Sequence, residues 1–84
     1  MDLDGNKNII HKRLKVARQK ARLSQDDLAA KMQTMNVNID QQMISRIERN
    51  QRVVTDYEVA CFAKVLKVNV LWLLSGQDDW LRDA

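Results

Sequence analysis

Four times along the chain, a residue able to cap a helix is preceded by an apolar residue and followed, four positions on, by another. The instances are Leu23-Ser24 with Leu28, Ile39-Asp40 with Ile44, Val54-Thr55 with Val59, and Val68-Asn69 with Leu73. At each, the cap oxygen can accept from an orphan amide of the first turn while the apolar pair closes over it as a hydrophobic staple. Thr55 with Glu58 also completes a capping box. Four helix starts in 84 residues allow only short helices joined by short connections. Proline is absent, the only glycines are Gly5 and Gly76, and alternating β-branched runs are missing. The fold class is therefore all-α.

Apolar spacing between the starts predicts five helices, near 8–21, 25–35, 41–50, 56–66 and 70–75. Ile10, Leu14, Ala17 and Ala21 form the inward stripe of the first, and Leu28, Met32 and Met35 that of the second. Ile44 and Ile47 serve the third, Val59, Phe62, Ala63 and Leu66 the fourth, and Val70, Leu71 and Leu74 the fifth. Asn50 near the end of the third helix suits a left-handed residue. The chain reads as one domain over 1–84, with a core at 8–75 and flanking tails at 1–7 and 76–84.

Several function classes drop out. Cys61 is the only cysteine and His11 the only histidine, so no intrachain disulfide can form and no metal-ligand spacing exists. Phosphate-cradling glycine loops are absent, which leaves no cofactor signature. Asp26-Asp27 and Asp78-Asp79 read as helix-start and tail charges rather than as a general acid/base pair. The chain does not read as an enzyme. No apolar run has the length of a signal or membrane segment, and the lone cysteine fits a reducing cytoplasm.

Charge is unevenly spread. Residues 1–52 hold 11 Lys/Arg against 6 Asp/Glu, whereas 53–84 hold 3 against 5. Lys7, Lys12, Arg13, Lys15, Arg18, Lys20 and Arg22 follow one another with no acidic residue among them. Such a face is either an ordinary solvated helix surface or one that meets a polyanion, and the asymmetry favours the latter. In the third helix, with Ile44 and Ile47 inward, Gln41, Gln42 and Ser45 share a polar side, and Arg46 and Arg49 lie on other outward faces. Glutamine pairs with adenine and arginine with guanine in the major groove of duplex DNA, which admits a helix where the A-form RNA groove does not.

The stretch Leu23-Ser24-Gln25-Asp26-Asp27-Leu28-Ala29, followed by Gln41-Gln42-Met43-Ile44-Ser45-Arg46-Ile47-Glu48-Arg49, resembles the lambda-repressor/Cro-like helix-turn-helix family of bacterial and phage regulators, of the xenobiotic-response-element type. The likeness runs through Thr55-Asp56-Tyr57-Glu58, Ala63-Lys64-Val65-Leu66 and Val70-Leu71-Trp72-Leu73-Leu74, covering roughly residues 9–75. It implies a compact five-helix DNA-binding domain whose second and third helices form the helix-turn-helix. It also implies base reading by Gln41, Gln42 and Arg46 with Ser45 beside them. Gln25 then contacts a backbone phosphate, the start of its helix offering free amides and a positive dipole end; Arg18, Arg49, Asn50, Gln51 and Arg52 supply further phosphate contacts. Arg18 and Glu48 match a pair that commonly forms a structural salt bridge.

One departure is the connection at residues 33–39, several residues longer than the tight turn of the motif. It predicts a second helix extended to about Met35 and then a short loop at Asn36-Val37-Asn38. The function implied is sequence-specific binding of double-stranded DNA as a transcriptional regulator, a repressor acting by occlusion, with the cytoplasm and its nucleoid as location. A homodimer would cover two half-sites, through the fifth helix and the Trp80-Leu81 tail. The competing reading is a protein-interaction module, an antitoxin or adaptor, for which DNA is secondary and the partner unknown.

Overall fold

The protein, described by a computed structural model over residues 5–77, folds as five helices: α1 His11–Lys20, α2 Gln25–Thr34, α3 Gln41–Glu48, α4 Asp56–Leu66 and α5 Val70–Ser75. All four caps form. Ser24, Asp40, Thr55 and Asn69 accept from the amides of Asp27, Met43, Glu58 and Leu71. Two are capping boxes, because Asp27 returns to the Ser24 amide as Glu58 does to that of Thr55. The first of these is hidden in sequence, since aspartate stands where the pattern asks for glutamate or glutamine.

Helix ends follow an equally uniform rule. Arg22, Asn36, Asn50 and Lys67 all have φ near +60°, each just past a helix. The next amide reaches back across the last turn: Leu23 to the Arg18 carbonyl, Val37 to Met32, Gln51 to Arg46 and Val68 to Ala63, at 2.8–3.2 Å. These are Schellman closures, here built with non-glycine residues that accept a left-handed backbone. After α2 the closure turns Val37 inward against the core that also holds Met32, and Ile39 follows it; both are buried. The long connection is thus a capped helix end followed by a short buried segment. The expected extension of α2 stops at Thr34, with Met35 as its C-cap.

The staple residues, Ile10, Leu14, Phe62, Met32 and Ile47 fill a single core. Two expectations fail at helix margins. Ala21 is exposed, because α1 closes at Lys20 and Ala21 sits in its capping turn. In α5 Leu73 is fully buried, whereas Val70 and Leu71 stand 40% and 56% exposed. The Val68–Leu73 staple sets that rotation and turns Val70 and Leu71 outward. The Trp80-Leu81 tail lies outside the described residues.

Lys67 is exposed, so its side chain contributes little to offset its left-handed backbone. Lys67→Gly is expected to stabilise the fold by about 0.5–1 kcal/mol in urea unfolding. A loss of stability would show that no strain is stored at this closure.

Candidate nucleic-acid interface

The outward surface of α3 is organised by a buried charge behind it. Arg18 donates from Nε to Glu48 Oε2 at 2.7 Å and from Nη2 to Glu48 Oε1 at 3.0 Å, and its Nη1 caps the Leu23 carbonyl at 2.9 Å. Both side chains are nearly excluded from water, at 11% and 3% exposure. A bidentate guanidinium–carboxylate pair is the geometry in which such burial is tolerated. Glu48 Oε1 also accepts from Gln25 Nε2 at 3.0 Å, and Gln25 Oε1 accepts from Gln41 Nε2 at 2.7 Å.

The chain of bonds has a direction. An ionised carboxylate only accepts, so Gln25 must present its amide nitrogen to Glu48 and its carbonyl oxygen to Gln41. Gln41 must then answer with its nitrogen. Its carbonyl oxygen and second amide hydrogen remain, which is the donor–acceptor pair that matches the N7 and N6 edge of adenine. The ion pair between α1 and α3 therefore sets the orientation of the first residue of α3 through a residue of α2.

Around Gln41 the surface is open and polar. A shallow groove between α2 and α3 is lined by Asp26, Gln33, Asp40, Gln41 and Gln42. Gln42 and Arg46 are exposed and Ser45 half-buried. Arg49, also exposed, folds its Nε back to the Ser45 carbonyl at 3.3 Å. Gln41, Gln42, Ser45 and Arg46 thus stand on one short helix whose other face, Ile44 and Ile47, is fully buried.

Comparison with protein families gives a decisive match: the family model described as helix-turn-helix covers residues 14–73, well over half of the chain. The chain belongs to the helix-turn-helix family. The five-helix architecture and the α2–α3 pair are those of its lambda-repressor-like members, and the family is one of DNA-binding transcription regulators. No curated protein matches the chain closely enough to add to this.

In this helix-turn-helix protein several of the residues that sequence reasoning assigned to phosphate are bonded within the fold. Arg18 is turned inward with Nε, Nη1 and Nη2 all engaged, the geometry of the expected salt bridge to Glu48. Arg52 grips Glu58 with Nη1 and Nη2 at 3.0 and 3.1 Å and also bonds the Val53 carbonyl; it fastens the start of α4. Asn50 turns its side chain to residues 6–8, and its amide and that of Gln51 are used in the Schellman closure. The start of α2 is less inviting to an anion than its dipole suggests. Ser24 occupies the Asp27 amide, and two carboxylates, Asp26 and Asp27, sit in the first turn. Gln25, Arg49 and Gln51 keep surface positions. The basic run of α1 is also partly structural, because Arg13 caps the carbonyls of Leu73 and Leu74 at the end of α5.

Sequence reasoning missed Asn8 entirely. It is a buried polar residue whose Nδ2 bonds the carbonyls of Ile47 and Arg52, each at 3.0 Å. No local pattern announces it, since its partners lie about forty residues away.

Removing one partner of the buried pair leaves the other charge uncompensated. Glu48→Ala should cost about 3–5 kcal/mol in denaturant unfolding; a loss under about 1 kcal/mol, as for a surface pair, would contradict the burial. Acid should weaken α2 and α4 together. Burial pushes the Glu58 carboxyl up, but the Arg52 guanidinium and the Thr55 amide outweigh it and hold its pKa below the usual value. The Ser24 amide and hydroxyl do the same for Asp27. Both groups are more acidic folded than unfolded, so their contribution is complete above the ordinary carboxylate range and fades as pH falls through the lowered values. Thermal melts should show stability falling below about pH 4, less steeply in Glu58→Gln than in the parent. Equal acid sensitivity in the two proteins would remove Glu58 from the account.

Proposed function

We propose that the chain reads double-stranded DNA sequence-specifically with α3 in the major groove and represses transcription by occupying its operator. The observation that carries this reading is the oriented amide of Gln41, fixed from behind by Gln25, Glu48 and Arg18 on an otherwise open polar helix face. Gln41 pairs with an adenine, Arg46 with a guanine, and Gln42 and Ser45 complete the base-reading row. Gln25 has a second amide hydrogen for a backbone phosphate, and Arg49 and Gln51 flank the other end of α3. Among the described residues no helix is long and apolar enough to cross a membrane and no cluster of His, Cys, Asp or Glu could hold a metal. The reading calls on neither, nor on a cofactor or a catalytic step, and it places the protein with the DNA of a bacterial or phage-infected cytoplasm.

A homodimer follows from the same reading, since one domain spans one half-site. The exposed Val70 and Leu71 of α5 supply an apolar surface that a second copy can cover. Two such domains would meet half-sites about 34–36 Å apart.

Arg46→Ala separates base reading from charge. The reading predicts a loss of about 1–3 kcal/mol confined to sequences carrying the preferred base at one position, measured by titrating matched and singly substituted duplexes. Uniform weakening on every duplex would make Arg46 a phosphate contact. Sedimentation on a duplex with two half-sites should show two copies bound; a single copy would remove the dimer.

A further inference from the structure

Residues 6–10 lead into α1 and are tied down far more heavily than a helix entry requires. Asn8 accepts from the amide of Ile10, the N-cap residue of α1, with Oδ1 at 3.1 Å. Its Nδ2 reaches across the molecule to the carbonyls of Ile47, in the last turn of α3, and Arg52, in the loop beyond it. Asn50 meets it from the other side. With its backbone left-handed at φ 61°, Asn50 accepts from the amides of Lys7 and Asn8 at 2.8 and 3.3 Å and donates from Nδ2 to Asn6 Oδ1 at 2.7 Å. Five hydrogen bonds from three asparagines thus hold a short peptide against the C-terminal end of α3.

What this peptide delivers is a cation. Lys7 is fixed through its backbone amide while its side chain stays exposed, and among the described residues it enters no ion pair. The end of a helix carries the negative pole of its dipole and repels phosphate. Arg52 cannot offset that pole, because Glu58 holds it. We propose that Lys7 is a phosphate-contacting residue, held by the Asn6–Asn8–Asn50 latch at the end of α3 that also carries the exposed Arg49. The latch has a second effect, since Asn8 donates to the Ile47 and Arg52 carbonyls and so satisfies two acceptors at that end of α3.

This inference rests on the reading that α3 faces duplex DNA. The test is the salt dependence of binding to an operator duplex for the whole chain, Lys7→Ala, Asn50→Gly and the double variant. Glycine keeps the left-handed backbone at position 50 while removing the latch, and circular dichroism establishes that each variant is folded. Lys7→Ala should reduce the slope of log K against log salt by about 0.9, one phosphate contact, with base preferences unchanged. Asn50→Gly should lose the same increment, and the double variant no more than either single one. An unchanged slope in Lys7→Ala, or additive losses in the double variant, overturns the proposal while leaving DNA reading intact. Should Asn50→Gly fail to fold, the Lys7→Ala slope alone decides. Failure of the parent chain to bind any duplex at low salt removes both readings.

Discussion

A carboxylate almost wholly withdrawn from water has to be answered, and the structure answers Glu48 with the two-point grip of Arg18. The defined orientation of the amide at the start of α3 depends on this pair. It locks α3 to α1 across the core, and its leftover accepting capacity orients Gln25, which orients Gln41. A replacement by apolar residues could hold the helices together as well or better. What it could not do is tell an amide on the surface which way to point. The ion pair is better understood as a device for orientation than as a source of stability.

The same economy governs the basic residues. Of the cations that make the first half of the chain look like a polyanion-binding strip, Arg13 closes the end of α5, Arg18 is buried, and Arg52 fastens α4. Net charge by segment could not separate these from Lys12, Lys15 and Arg22, which remain on the surface. The distinction depends on which carbonyls and carboxylates the fold brings within reach. The surface left for DNA is accordingly smaller and more definite than the charge pattern suggests. In the proposed reading, bases are met by a single short helix and phosphates at the two ends of that helix.

Local physics made most of the fold legible. Caps and staples act within five residues, so the starts of α2 to α5 could be read to the residue. Ile44 and Ile47 had to point inward once the helix was placed, and that fixed which residues faced out. What could not be read were closures made over long separations. Asn8 gives no local sign of its partners in α3, and Asn50 was seen as a helix-ending residue but not as half of a latch. The left-handed Arg22 and Lys67 were equally invisible, because neither residue type favours that conformation. Val37, inside a loop by pattern, is buried because the closure after α2 turns it inward. Of the candidate site, the outward placement of Gln42 and Arg46 on α3 was legible, whereas the engagement of Arg18, Arg52 and Asn50 within the fold was not, because it depends on which distant polar groups come within reach.

The most direct test of the central claim is selection from a randomised duplex library at near-physiological salt, run in parallel on the parent and on Gln25→Ala. The account predicts a short enriched motif, repeated with two-fold symmetry, containing an adenine position whose preference weakens when Gln25 no longer orients Gln41. Enrichment that is identical in the two proteins would show that the relay from Arg18 through Glu48 and Gln25 does not govern base reading. No enrichment from the folded parent would contradict the account as a whole.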